Sequence, residues 1–137
     1  MRIGELAREA GTTPRTVRYY EEIGLLPETG SRPAGSHREY GSADLEQLIE
    51  VLRLKDLLGL SLDELREVVH GEAARPALRR GWRETSDPVQ RERILAEATA
   101  HVDRLLGLVA RRRSELEILE RELLERRERA RAAETAN

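Results

Sequence analysis

Apolar residues recur at helical spacing at the beginning of the chain. They form one stripe that consists of Ile3, Leu6, Ala7 and Ala10. Gly11 can end this first helix. A second helix can start almost at once, because Thr13 suits the N-cap and Pro14 suits the first helical position. Two short helices joined by so short a turn predict a helix-turn-helix.

The second helix has an apolar side and a polar side. Val17 and Tyr20 are three residues apart and can face the core. The polar side carries four residues at helical spacing, which are Arg15, Arg18, Tyr19 and Glu22. Forked guanidinium donors and a phenol on a short helix suit the major groove of DNA. The same spacing also fits an ordinary helical hairpin with a solvated basic side.

The stretch Glu28–Tyr40 loses the helical period, and its glycine and proline residues favour turns. Arg38 and Tyr40 are two residues apart, so their side chains point the same way in an extended segment. This pattern predicts a small β-hairpin wing that touches the DNA backbone. A plain surface loop is the alternative.

Two more helices are predicted between residues 42 and 70. Ser42 is a suitable N-cap with Asp44 in the first turn, and Ser61 with Glu64 forms a capping box. The core-facing positions are Leu45, Leu48, Ile49 and Leu52 in the third helix, and Leu62, Leu65, Val68 and Val69 in the fourth. Residues 1–70 can therefore build one small core.

A linker that contains a short helix is predicted for residues 71–87, because Pro76 and Gly81 interrupt the helical spacing of apolar residues. Trp82, the only tryptophan, is interpreted first as a packing residue where the head joins the following helix. The alternative is that Trp82 stacks on a small effector molecule.

A long amphipathic helix is predicted from Pro88, with Asp87 as its N-cap. Its apolar positions alternate at spacings of three and four, interrupted once at Arg112. They are Leu95, Ala98, Val102, Leu105, Val109, Leu116, Leu119 and Leu123. This is a heptad seam on a helix of about 60 Å, too long for the small head to cover. The seam therefore predicts pairing with a second copy of the chain.

The charge balance argues against a nonspecific nucleic-acid binder. Residues 1–70 carry nine basic and thirteen acidic side chains, a net charge of −4. Nonspecific binders normally have a basic excess. Any binding to DNA must therefore come from a few arginines placed on one surface.

No catalytic arrangement is visible, so no enzymatic activity is expected. The histidines His37, His70 and His101 are scattered, and Glu67 with His70 gives only one of the two copies that a di-metal helix motif needs. The absence of cysteine excludes disulfides, thiolate metal sites and thiol redox switches. We expect no cofactor and no metal. No signal peptide or membrane-spanning stretch is visible, which predicts a cytoplasmic, nucleoid-associated protein.

Several sequence runs in order resemble the MerR (mercury-resistance regulator) family of bacterial transcription factors. They begin at Ile3 (IGELA), Thr16 (TVRYYEEIGLL), Arg38 (REY) and Leu60 (LSLDEL), and together they span roughly the first seventy residues. The resemblance implies a winged helix-turn-helix that works as a dimer through a long antiparallel coiled-coil helix. The absence of cysteine excludes the thiolate-based sensing of many members.

The resemblance also implies the site and the mechanism. Arg15, Thr16, Arg18 and Tyr19 would lie on the recognition helix with Tyr20 nearby, and Arg38 and Tyr40 would lie in the wing. The family acts on promoters whose two recognition elements are too far apart, and it distorts the DNA between them so that RNA polymerase engages both. Two alternatives are an inducer-free architectural or partner-recruiting DNA-binding protein, and a protein-interaction scaffold whose head merely packs.

The sequence thus predicts a mainly α protein, with a winged helix-turn-helix head and a long C-terminal dimerisation helix. The predicted divisions are residues 1–70 for the head, 71–87 for the linker, 88–131 for the coiled coil and 132–137 for a frayed tail. The predicted function is a dimeric, sequence-specific regulator with double-stranded promoter DNA and RNA polymerase as partners.

Overall fold

The described part of the chain contains five helices in succession. The structure is a computed structural model, and it describes residues 1–26 and 37–136. In chain order the helices are α1 (Ile3–Ala10), α2 (Pro14–Glu22), α3 (Ser42–Leu58), α4 (Leu62–Glu84) and α5 (Pro88–Thr135). Neither of the two ranges includes a strand. The predicted mainly α class is confirmed.

The predicted β-hairpin wing cannot be placed on this structure. Residues 27–36, which make up most of the stretch, lie outside the described residues. The part that is described, residues 37–40, has no regular secondary structure.

The caps around the first turn are those that the sequence predicts. Gly11 ends α1 in the left-handed region at φ 75°, which costs a glycine little. The Thr13 hydroxyl then accepts a hydrogen bond of 3.2 Å from the Thr16 backbone N–H, and Pro14 is the first residue of α2. Three local signals therefore fix the short connection between α1 and α2.

The core of the head forms where α1 packs against α2 and α3, and where α3 packs against α4. Its buried members come from all four helices and from the segments after α2 and before α3. They are Leu6, Ala7, Val17, Tyr20, Leu25, Leu26, Tyr40, Leu48, Val51, Leu65 and Val69. This core orients α2, because it holds the apolar side of that helix.

The start of α3 differs by one residue from the prediction. Gly41, not Ser42, is the N-cap, and Ser42 is the first helical residue. Asp44 supplies the capping interaction, since its carboxylate accepts a hydrogen bond of 2.9 Å from the Gly41 N–H. The predicted capping box of α4 is confirmed, with Glu64 N–H to Ser61 Oγ at 3.2 Å and Ser61 N–H to Glu64 Oε1 at 2.8 Å.

The prediction of a linker from residue 71 is wrong about secondary structure, because α4 continues without interruption to Glu84. Proline has no N–H, so Pro76 leaves the carbonyl of Glu72 without its helical partner. The side chain of Gln47 on α3 replaces that partner, with Nε2 donating to the Glu72 carbonyl at 3.1 Å. A contact between helices thus compensates for the missing hydrogen bond.

The last helix begins where the sequence predicts. The Asp87 carboxylate accepts from the Val89 N–H at 3.2 Å, and Pro88 is the first helical residue. The helix continues to Thr135, beyond the expected limit near residue 131. It contributes to both compact units of the chain, Met1–Val102 and Asp103–Asn137.

Candidate nucleic-acid interface

The outward side of α2 presents a compact set of polar side chains. Arg15 and Arg18 are exposed, whereas Thr16 and Tyr19 are half-buried beside them. We call these four residues the α2 face. On the opposite side Val17 and Tyr20 are almost completely buried, at 0% and 1% exposure. The predicted division of this helix into a core side and a polar side is therefore present in the structure.

Thr16 is the most constrained member of the α2 face. Besides its backbone contact with Thr13, its hydroxyl accepts a hydrogen bond of 3.1 Å from the Thr13 hydroxyl. Arg15 and Arg18 carry the positive charge of the face, and guanidinium groups are the commonest specific contacts to guanine. The chemistry of the face suits recognition of base edges or phosphates.

Glu21 connects α2 to the segment that enters α3. One carboxylate oxygen accepts a hydrogen bond of 2.6 Å from Arg38, and the other accepts one of 2.8 Å from the Tyr40 hydroxyl. The Arg38 guanidinium also lies 4.9 Å from the centroid of the Tyr40 ring. We call these three residues the Glu21 clamp. The ion pair offsets a negative charge on α2, so the α2 face stays more positive.

The clamp determines where the two predicted wing residues lie. Tyr40 is buried in the core at 5% exposure, and its backbone N–H donates to the carbonyl of Met1 at 2.7 Å. The side chain of Arg38 is 12% exposed in its pair with Glu21. The structure therefore brings Arg38 and Tyr40 together on one side, but toward α2 and the core.

Two adjacent tyrosines mark the edge between the α2 face and the core. The rings of Tyr19 and Tyr20 meet edge to face, with centroids 5.9 Å apart and an interplanar angle of 63°. Within the described residues, neither hydroxyl has a hydrogen-bond partner. Burial raises the pKa of Tyr20 above its ordinary value of 10.0, and the charges of Asp56 and Tyr19 raise it further. Tyr20 is therefore a neutral core residue.

A second polar cluster, which the sequence did not predict, ties α5 to α4. His101 Nε2 lies 2.6 Å from Glu72 Oε2, and both side chains are buried. The imidazole occupies the space that a Cβ on Gly71 would need, because such an atom would lie 2.0 Å from His101 Nδ1. Arg75 also contacts Glu72, at 3.1 Å. No sequence signal joins Glu72 to His101, since they belong to different helices.

Trp82, interpreted from the sequence as a packing residue with effector stacking as the alternative, is 39% exposed near the end of α4. The guanidinium of Arg91 stacks on its ring at 4.7 Å from the centroid. Trp82 also lines an apolar cavity between α4 and the first turns of α5.

Neither a metal-ion cluster nor a membrane-spanning helix occurs in the described ranges. Residues 1–26 and 37–136 include no group of three or more His, Cys, Asp or Glu side chains arranged to hold a metal ion. None of the helices in these ranges has the length and hydrophobicity required to cross a lipid bilayer.

The chain is similar to known transcriptional regulators. Residues 1–72 match the family described as "MerR HTH family regulatory protein". The HTH-type transcriptional regulator YfmP of Bacillus subtilis (strain 168) is 35% identical over 109 residues, which cover 80% of this chain and 77% of that protein. The mercuric resistance operon regulatory protein of Serratia marcescens is 42% identical over 67 residues, covering 49% of this chain and 45% of that protein.

A solved structure also matches, that of the transcription regulator PbrR691 from Ralstonia metallidurans CH34 in complex with lead(II). Its identity is 32%, its TM-score is 0.47, and the match covers 91% of this chain and 83% of that one. The family match extends over more than half of the chain, and the similarity to YfmP extends well beyond the head. The chain therefore belongs to the MerR family of helix-turn-helix regulators and is a DNA-binding transcription regulator.

Proposed function

We propose that the protein is a dimeric, sequence-specific regulator that distorts promoter DNA between its recognition elements and thereby positions RNA polymerase. The observation that carries the proposal is the α2 face, where Arg15 and Arg18 are exposed on a helix whose other side is buried in the core. In such a motif the second helix enters the major groove. The α2 face would read base edges there.

Within this proposal, Tyr20 and Tyr40 position the α2 face instead of contacting DNA. Tyr20 is buried in the core, and Tyr40 is buried with its hydroxyl on Glu21. Arg38 holds the other oxygen of the same carboxylate. The clamp thereby fixes the outgoing end of α2, and a fixed reading helix recognises DNA with less loss of conformational entropy.

The head alone carries few favourable charges for DNA, since residues 1–70 have a net charge of −4. Affinity would therefore depend on a small number of placed contacts and on two heads binding together. In a dimer that is already bound to DNA through one head, the second head binds its half-site within the same complex. The affinity of the dimer for DNA is therefore higher than that of one head.

The seam of α5 supports dimerisation. Its large members are exposed in the single chain by about half: Leu95 57%, Val102 51%, Val109 39%, Leu116 49%, Leu119 47% and Leu123 48%. Val109 lies fourteen residues from both Leu95 and Leu123, so the seam is nearly symmetrical about it. An antiparallel pair centred near Val109 would therefore bring the Leu95 end of one seam beside the Leu123 end of the partner's seam.

Binding to DNA tests the role of the α2 face. A fluorescent duplex carrying the inverted repeat upstream of the chain's own gene would be titrated with Arg15→Ala and Arg18→Ala. Each variant should lose about 1–3 kcal/mol of specific binding if the arginine contacts a base. Arg129→Ala, an exposed arginine near the end of α5, serves as the control and should bind normally. Equal binding by all three variants would contradict the proposed reading face.

Distortion is tested separately by footprinting and by transcription in vitro with purified polymerase. The proposal predicts protection centred between the two promoter elements, enhanced cleavage within the protected region and a changed rate of initiation. Protection without any change in initiation would instead support the architectural alternative.

A further inference from the structure

We propose that the apolar cavity between α4 and the start of α5 binds a small organic anion with an apolar body. The cavity has a volume of about 380 Å³ and lies entirely within the compact unit Met1–Val102. Ligand pockets typically measure about 300–1,000 Å³ and combine apolar walls with a few polar groups. The binding step stands by itself, and only its regulatory consequence rests on the proposed function.

The walls of the cavity are mainly aliphatic. Leu78 on α4 faces Ile94, Leu95, Ala98 and Val102 on α5 across the space. Gly71 and His101 close the inner end, where the imidazole is already engaged with Glu72. The interior therefore favours a hydrocarbon or aromatic body over a polar one.

Two arginines on α4, Arg75 and Arg79, give the lining its charge. Arg75 is paired with Glu72, whose carboxylate also binds His101. Arg79 is exposed, and the described residues provide no carboxylate within ion-pair distance of it. An apolar space beside a cation without a counter-charge fits a ligand that carries one carboxylate or a similar anionic group.

Trp82 provides a rigid aromatic wall and a reporter. The Arg91 guanidinium stacks on its ring, and Arg91 Nε donates to the carbonyl of Thr85 at 2.9 Å. These contacts hold the indole in place beside the cavity. Since Trp82 is the only tryptophan, its fluorescence reports on the cavity without interference from other tryptophans.

One edge of the cavity coincides with the dimer seam, because Leu95, Ala98 and Val102 belong to both. A second copy packed on the seam would close this edge and leave the inner space to the ligand. The ligand would then contact α4 and α5 at once, and its binding would be coupled to the position of the dimerisation helix. Such coupling is how a small molecule would regulate the DNA-binding head.

The test uses the full chain, the probe para-tert-butylbenzoate and its neutral carboxamide as the matched compound. We expect a saturable change in Trp82 fluorescence with one benzoate bound per chain, confirmed by calorimetry, and weaker binding of the carboxamide. Arg79→Gln should weaken benzoate binding about three- to fivefold, as expected for a partly solvated ion pair. Arg83→Gln, an exposed arginine of α4 outside the cavity, should leave the affinity unchanged.

Two variants fill the cavity from different helices, so that a folding defect in one does not prevent the test. Leu78→Phe and Ala98→Leu should each reduce the affinity for the benzoate at least about tenfold, because overpacking excludes a ligand from a close-packed site. No saturable binding, or equal binding by Leu78→Phe and the unchanged chain, would overturn the proposal. Absence of binding in a chain shown to be dimeric would mean that the second copy fills the space.

DNA binding measured on the same samples separates this inference from the proposed function. Normal DNA binding without benzoate binding would reject only the ligand site. Benzoate binding without sequence-specific DNA binding would reject the proposed regulator and leave the ligand site standing.

Discussion

Tyr19 and Tyr20 are neighbours in sequence, yet they have different environments because a helix turns by about 100° per residue. Tyr19 lies half-buried at the edge of the α2 face, and Tyr20 is buried in the core. The hydroxyl of Tyr20 has no hydrogen-bond partner among the described residues. A buried polar group in that state costs stability, so the ring matters more than the hydroxyl.

Tyr20→Phe should therefore be at least as stable as the unchanged chain near neutral pH, with a gain of about 1 kcal/mol at most. A raised pKa means that the folded chain keeps the phenol proton after the unfolded chain has lost it. The stability of the unchanged chain should thus fall as the pH rises above about 10, and part of that fall should vanish in Tyr20→Phe. Urea unfolding at neutral and alkaline pH measures both effects, and an equal alkaline loss in the two proteins would contradict the prediction.

Gly71 is required for a spatial reason, because the His101 ring occupies the position of its missing side chain. Gly71→Ala should destabilise the chain by about 1–3 kcal/mol, since the added methyl group must displace the imidazole from Glu72. Gly107→Ala is the matched control on α5, where a Cβ would meet nothing within 4 Å. That change should stabilise the helix by about 0.5–1 kcal/mol. Thermal unfolding of both variants checks the opposite signs.

At the scale of single elements, a residue of another helix offsets the helix-breaking effect of a proline in α4. The sequence predicts an interruption near Pro76, yet the helix continues because Gln47 on α3 donates to the carbonyl that the proline leaves open. This carbonyl belongs to Glu72, whose side chain holds His101. One residue therefore connects three helices.

A double-mutant cycle tests this compensation. Gln47→Ala should cost about 1 kcal/mol because it leaves the Glu72 carbonyl without a partner. In a Pro76→Ala background the restored N–H satisfies that carbonyl, so Gln47→Ala should cost much less. Gln90→Ala, an exposed glutamine in the first turn of α5, should cost little in either background. If the effects of Gln47→Ala and Pro76→Ala on the free energy of unfolding in urea were additive, the hydrogen bond from Gln47 would not compensate for the proline.

Capping contacts are local in the chain, whereas the contacts between helices are not. The caps at Thr13 and Ser61 depend on residues three positions apart, so the sequence predicts them directly. The Glu21 clamp joins Glu21 to Arg38 and Tyr40, which lie 17 and 19 positions further along the chain. The contact of Gln47 with Glu72 spans 25 positions. Such contacts depend on how the helices pack, which neither periodicity nor capping signals specify.

In the candidate site, too, some features follow from local spacing and others depend on tertiary packing. Helical spacing is sufficient to expose Arg15 and Arg18 and to bury Val17. It does not reveal that Arg38 turns toward Glu21, because that contact depends on the path of the chain between α2 and α3. The roles of the α2 face and of the wing in DNA binding stay predictions.

At the scale of the whole molecule, the proposed dimer depends on the centre of the α5 seam. Val109→Asp would bury one carboxylate from each chain in the apolar centre of the seam, which should weaken the dimer at least about 100-fold. Ala110→Asp, at the adjacent exposed position off the seam, is the control. Analytical ultracentrifugation should detect monomers only for the first variant, and its specific DNA affinity should fall while its helical circular dichroism persists. A dimer that tolerates Val109→Asp would exclude burial of the seam at Val109.

The contact between His101 and Glu72 lies just before Val102, where the first compact unit ends. Within the first compact unit, the contacts of α5 with the head therefore come from its first four turns. In the proposed dimer the remaining turns would set the distance between the two heads. Adding or removing whole heptads there would change this distance and leave the contacts of His101 with the head intact.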